Sequence, residues 1–133
     1  MTDLVFFYGT LMSGFKRAGR ARVDPKLTAE GRGSIPAALF DVGIYPAAIP
    51  ATDSHVRGEI YRMFDTAGVL DALDEIEGFR PGRPDESLYT RAETRVTFDD
   101  GHVADAWVYF YNAPLGRAPR IHSGDYLEYL KVK

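Results

Sequence analysis

Glu77 is the side chain whose surroundings demand an explanation. It ends a stretch, residues 66–77, that reads as helix: Asp65 or Thr66 can cap its start, and Gly78 follows where a left-handed residue is favoured. Taking Val69 as zero on a helical wheel, Leu73 falls at about 40°, Leu70 at about 100° and Ile76 at about 340°, which defines an apolar stripe. Glu77 falls at about 80°, between Leu73 and Leu70, while Asp71 and Glu75 fall on the opposite side at about 200° and 240°. A carboxylate on that stripe faces the core or a cleft beside it. Burial, the negative end of the helix dipole and the charge of Asp74 three residues earlier would each push its pKa upward. A carboxyl group of raised pKa is a candidate general acid/base. The alternative is that the helix frays at residue 76 and Glu77 turns to water.

Other residue types offer less chemistry. His55, His102 and His122 lie far apart with no metal-ligand spacing, and no cysteine is present, so no metal site and no thiol nucleophile are expected. None of Ser13, Ser34, Ser54, Ser87 and Ser123 sits in a G-x-S-x-G elbow. The basic run Lys16, Arg17, Arg20, Arg22 fits a solvated loop better than an anion site, because no adjacent motif gives it a ligand. Trp107, Tyr109 and Tyr111 alternate along one strand face and read as core or cleft wall. At the N-terminus the apolar run Leu4–Tyr8 stops abruptly at Gly9-Thr10. Such a stop is either a surface turn or a loop whose backbone N–H groups grip a ligand. A nucleotide loop is excluded by the lack of G-x-x-x-x-G-K-[ST]. Gly9 is expected to serve the turn rather than packing, a side chain there blocking either the backbone conformation or a ligand's approach.

The elements that must position these residues can be traced along the chain. Residues 3–8 read as a buried strand, 12–26 as irregular, 27–33 and 37–42 as two strands separated at Pro36, and 43–50 as a proline-rich turn. Strands follow at 56–63, 88–98 and 102–111, the last two joined through Asp100-Gly101, a hairpin signal. The segment 79–87 is a loop, and a short helix over 124–131 closes the chain. About six strands, one main helix and a short C-terminal helix define an α+β domain, a small mixed β-barrel or strongly curved sheet spanning residues 1–133 as one unit. With 133 residues the chain can bury one sizeable core, and its net charge of −3 gives no general attraction to nucleic acid. No stretch approaches the about 18 apolar residues needed to span a bilayer, and no signal segment opens the chain, so a cytoplasmic location without membrane partners is expected.

Taken together, FFYGTL at 6–11, DVGIYPA at 41–47, GEIY at 58–61, LDEIEGF at 73–79, LYTR at 88–91 and AWVYFY at 106–111 give a chain that resembles the gamma-glutamylcyclotransferase-like proteins, including their gamma-glutamylamine cyclotransferase branch. YGTL followed by an L-D-x-x-E-G helix end and then Y-x-R is the specific part. Gly-Thr stands where some members carry Gly-Ser, and the stretch MSGFKRAGRAR after YGTL has no counterpart that can be matched residue by residue. The resemblance implies a small mixed barrel with flanking helices. It also implies that the YGTL turn offers amides to the substrate and that Glu77 is the catalytic acid/base. The reaction it implies is cyclisation of a γ-glutamyl amine or γ-glutamyl amino acid to 5-oxoproline, with no cofactor and no metal. The substrate-binding set is then Tyr8, Gly9, Thr10, Leu11 and Tyr111. A non-catalytic small-molecule-binding domain or a protein-interaction domain of the same fold are the alternatives.

Overall fold

The computed structural model describes residues 2–15, 17 and 19–132; Lys16, first of the basic run, lies outside the described residues. Five strands, β1 (Leu4–Phe7), β2 (Leu27–Asp41), β3 (Pro46–Met63), β4 (Tyr89–Phe98) and β5 (Val103–Tyr111), close a barrel in the order β1-β3-β2-β4-β5. The barrel is mixed, because β1 meets β5 in parallel at Val5↔Trp107 while the other neighbours are antiparallel. Three helices flank it: α1 (Arg20–Val23), α2 (Thr66–Glu77) and α3 (Tyr126–Val132). Single 3-10 turns occur at Asp24–Lys26 and Pro84–Glu86.

Five strands replace the expected six because the proline at 36 does not end a strand. The ladder register jumps from Pro36↔His55 to Ala37↔Pro50, so residues 51–54 bulge out and β2 continues through. A bulge is where a missing N–H is tolerated, and Pro46 stands at the first position of β3, where it is equally harmless. The stretch expected to be irregular, 12–26, contains α1 and a 3-10 turn.

The core runs through the barrel with Val5, Ile35, Val56, Ile60, Val96 and Val108 fully buried, and it continues under α2 through Val69, Leu70 and Leu73. Barrel closure needs close backbone approach at one cross-strand pair. Gly33 and Gly58 face each other, and a Cβ would meet Thr97 O at 2.4 Å on one and Phe7 O at 2.3 Å on the other. Those contacts bring β4 and β1 against the β2–β3 ribbon, which sets the end of β1 beside the end of α2. Among the described residues, no helix is long and apolar enough to cross a membrane.

Candidate active site

The end of α2 is built to stop at Glu77. Asp65 caps the start by accepting the Gly68 N–H at 3.1 Å. At the other end Gly78 adopts φ 70°, its N–H reaching Glu75 O at 3.3 Å while the Phe79 N–H reaches Asp74 O at 2.8 Å. This paired closure is a Schellman motif, so the helix does not fray at residue 76. Glu77 is held on the buried side, 8% exposed, as the wheel requires.

Asp74 behaves differently from expectation. Its Oδ1 accepts from Arg91 Nε at 2.9 Å and from the Tyr109 hydroxyl at 2.6 Å, so one carboxylate ties α2 to β4 and β5. Arg91 in turn stacks over the Trp107 and Phe79 rings, 4.8 and 5.6 Å from their centroids. Satisfied in this way, Asp74 takes no part in the shift of Glu77. Burial lifts the Glu77 carboxyl above its ordinary range, and the nearby Arg17 guanidinium pulls it partly back.

The turn after β1 is fixed from outside. Met12 N–H closes it onto Gly9 O at 3.0 Å, Ser13 gives its N–H and O–H to the Glu59 carboxylate at 2.7 Å each, and Arg20 donates to Leu11 O. With those anchors in place, the amides of Gly9, Thr10 and Leu11 have no hydrogen-bond partner among the described residues. Gly9 does not take a left-handed backbone, contrary to the conformational role expected of it. Its constraint is space, since a Cβ there would lie 2.8 Å from Pro46 Cγ.

These parts meet around one cavity lined by Tyr8, Gly9, Thr10, Leu11, Glu77, Arg17, Tyr45, Pro46, Tyr89 and Tyr109, together with Phe6 and Phe7. Its free space is about 30 Å³, well below the usual range of ligand pockets. Arg17 spans it: Nη1 donates to Thr10 Oγ1 at 2.9 Å and to Glu77 Oε1 at 3.3 Å, Nη2 donates to Ile76 O at 3.1 Å, and the guanidinium lies 4.6 Å from the Tyr45 ring centroid. Arg17 has five N–H donors, so Nε–H and one Nη2–H, on adjacent nitrogens, have no partner among the described residues. Three phenols complete the wall. Tyr8 O–H donates to Tyr109 O at 2.6 Å and accepts the Ala48 N–H at 3.4 Å, while Tyr89 O–H donates to Pro46 O at 3.0 Å. Burial pushes all three hydroxyls upward, so they act as neutral donors. Among the described residues, no three His, Asp or Glu side chains gather as metal ligands.

Of the residues singled out from sequence, Tyr8, Gly9, Thr10, Leu11 and Glu77 line this cavity and Tyr111 does not. Tyr111 packs edge-on against its cross-strand partner Tyr89, with ring centroids 5.4 Å apart, and Tyr89 takes the wall position instead. Tyr45 and Tyr89 were not singled out, and Arg17 was set aside with the basic run. Tyr45 and Tyr89 lie within the matched segments DVGIYPA and LYTR, which was the available signal. Arg17 had none nearby, although a carboxylate buried at Glu77 calls for a cation.

Comparisons with known proteins bear on the family and the fold. The model of the family "Gamma-glutamyl cyclotransferase, AIG2-like" matches residues 5–128. A protein of Methanocaldococcus jannaschii that carries gamma-glutamylcyclotransferase as a provisional name is 30% identical over 128 residues, 96% of this chain and 98% of its own length. The solution structure of YtfP from Escherichia coli, 29% identical, matches 95% of this chain and 97% of YtfP with a TM-score of 0.66. The crystal structure of YkqA from Bacillus subtilis, 24% identical, shares the fold with a TM-score of 0.72 over 99% of this chain and 42% of that one, so the chain spans less than half of YkqA.

Proposed function

The chain belongs to the gamma-glutamyl cyclotransferase, AIG2-like family, and from that premise we propose that it cyclises a γ-glutamyl amine or γ-glutamyl amino acid to 5-oxoproline, releasing the free amine. One observation carries the reading: a buried carboxylate, Glu77, shares a small cavity with a turn whose three amides at Gly9, Thr10 and Leu11 have no partner among the described residues.

The substrate's α-amino nitrogen attacks its own γ-carbonyl carbon. A C–N bond forms to close the five-membered ring, and the original C–N bond to the amine breaks. The reaction is intramolecular, so the protein's task is to hold the folded-back conformer. Glu77 takes the proton that the α-ammonium must lose and returns it to the departing amine. A carboxyl whose burial raises its proton affinity is suited to both transfers. The oxyanion that develops on the γ-carbonyl is met by the turn amides, which need no rearrangement. The free donors of Arg17 are available to the glutamyl α-carboxylate, for which adjacent guanidinium nitrogens are a bidentate match. A ligand bound there competes with Glu77 for Arg17, which leaves Glu77 a stronger base.

The test is a screen of γ-glutamyl amines, γ-glutamyl amino acids and glutathione, with 5-oxoproline as readout. At least one class should turn over, and Glu77→Gln should slow it by about 10²–10⁴ because an amide cannot carry the proton. Binding without 5-oxoproline for every compound would instead mark a ligand-binding domain of the same fold.

A further inference from the structure

We infer that the groove adjoining the cavity mouth selects the departing half of the substrate, favouring γ-glutamyl conjugates of aliphatic or aromatic amines over small or cationic ones. The inference rests on the cyclotransferase reading for its chemistry, but the groove can be tested apart from turnover. The groove is lined by Phe15, Ile44, Ile76 and Gly19, and it shares Thr10, Arg17 and Tyr45 with the cavity. The two hollows therefore adjoin, with Thr10, Arg17 and Tyr45 between them. The cavity leaves only about 30 Å³ free, too little for a whole conjugate, so the amine half must lie outside it, and the shared residues direct it towards the groove.

The groove's chemistry is lopsided. Among the described residues that line it, Arg17 is the one charged side chain, and the rest of that wall is dominated by aliphatic and aromatic side chains. Ile44, at the tip of the β2–β3 turn, is 79% exposed, a large apolar side chain with almost no protein around it. Phe15, also in the groove wall, is anchored by stacking on Tyr126 with ring centroids 5.9 Å apart. Ile76 stands close against Gly19, where a Cβ would come within 2.5 Å of its side chain, so that wall is firm. An alkyl or aryl group placed there gains burial on two sides, whereas an ammonium would face Arg17 and lose hydration without a partner.

The experiment compares three conjugates of γ-glutamate, the isopentylamide, the methylamide and the 2-aminoethylamide. It measures kcat/KM for 5-oxoproline release by the wild type and dissociation constants by calorimetry for the Glu77→Gln protein. Four further carbons in a half-open groove should favour the isopentylamide over the methylamide by about tenfold or more, with the aminoethyl compound weakest. Ile44→Asp should reduce that ratio to about threefold or less. Val103→Asp, an exposed position on β5 away from the groove, should leave the ratio as it is. A wild-type ratio near one, a ratio indifferent to Ile44→Asp, or one equally lowered by Val103→Asp overturns the proposal. If no conjugate yields 5-oxoproline, the cyclotransferase reading fails, and the calorimetric ratio alone then decides for or against the groove.

Discussion

Asp74 is the residue whose loss should be felt most widely, because one carboxylate oxygen holds three elements together. Asp74→Asn keeps the shape and an acceptor for Arg91 Nε and Tyr109 O–H, and it removes only the charge. A hydrogen bond to a charged group contributes about 1.5–3 kcal/mol and a neutral one about 0.5–1.5 kcal/mol. Weakening two such bonds gives a loss of about 2–3 kcal/mol. Arg91 is 20% exposed, so water recovers part of its share, and the expected loss settles near 2 kcal/mol. For a domain of this length that corresponds to a drop in Tm of about 8 °C. Asp74→Ala should cost more, about 3–5 kcal/mol, because the Tyr109 hydroxyl then loses its acceptor inside the core.

Urea unfolding and thermal melts at neutral pH measure both variants, and a cycle with Tyr109→Phe isolates the Tyr109–Asp74 term, expected at about 1 kcal/mol or more. Activity of Asp74→Asn, assayed well below its melting temperature, should also fall, because Glu77 sits one turn further along the helix that Asp74 pins. A displacement of about 1 Å at such a position can cost about 10²-fold. Asp74→Asn melting within about 1 °C of the wild type, or a coupling of zero, would refute the pinning argument.

Glu77→Gln should change how stability depends on pH. The folded-state pKa of Glu77 lies above the ordinary 4.5, so from there up to the raised value the folded form binds more protons than the unfolded one, and wild-type stability falls as pH rises. The variant lacks that fall, so it should match or exceed the wild type at neutral pH, with parallel stability curves counting against a costly buried charge. Glu75→Gln is the control: its pair with Arg22 is exposed on both sides, 70% and 54%, and should contribute less than about 1 kcal/mol. Gly9→Ala should destabilise by about 1–3 kcal/mol through its clash with the Pro46 ring, and Pro46→Ala should recover part of the loss; no recovery would mean that something other than Pro46 constrains Gly9.

The helix and its carboxylate were legible from sequence because they depend on local rules. The cap at Asp65, the left-handed Gly78 and the apolar stripe all act within a few residues, and the helix spans Thr66–Glu77 as they require. The β4–β5 hairpin was legible for the same reason, through Asp100-Gly101 with Gly101 at φ 97°. The two long strands were not. Whether Pro36 ends a strand depends on whether the facing strand can bulge, and residues 51–54, which supply that bulge, are distant in sequence and carry no strand signal of their own.

The site divides along the same line. Glu77 and the turn at Tyr8–Leu11 were found because each carries a local anomaly, a charge on an apolar stripe and a strand that stops short. Arg17 carries none: it belongs to a run of basic residues that would be equally at home in water. Its placement follows only once the end of α2 and the turn after β1 are side by side, where it bridges Thr10, Ile76 and Glu77. Asp74 shows the converse. Its local context suggested repulsion from Glu77, yet contacts from β4 and β5 make it the anchor that keeps Glu77 in place. The carboxylate proposed to move the proton is therefore declared by sequence periodicity, while the charges around it are supplied across the fold. Variants at Arg17 and Asp74 should consequently separate the tuning of Glu77 from its positioning.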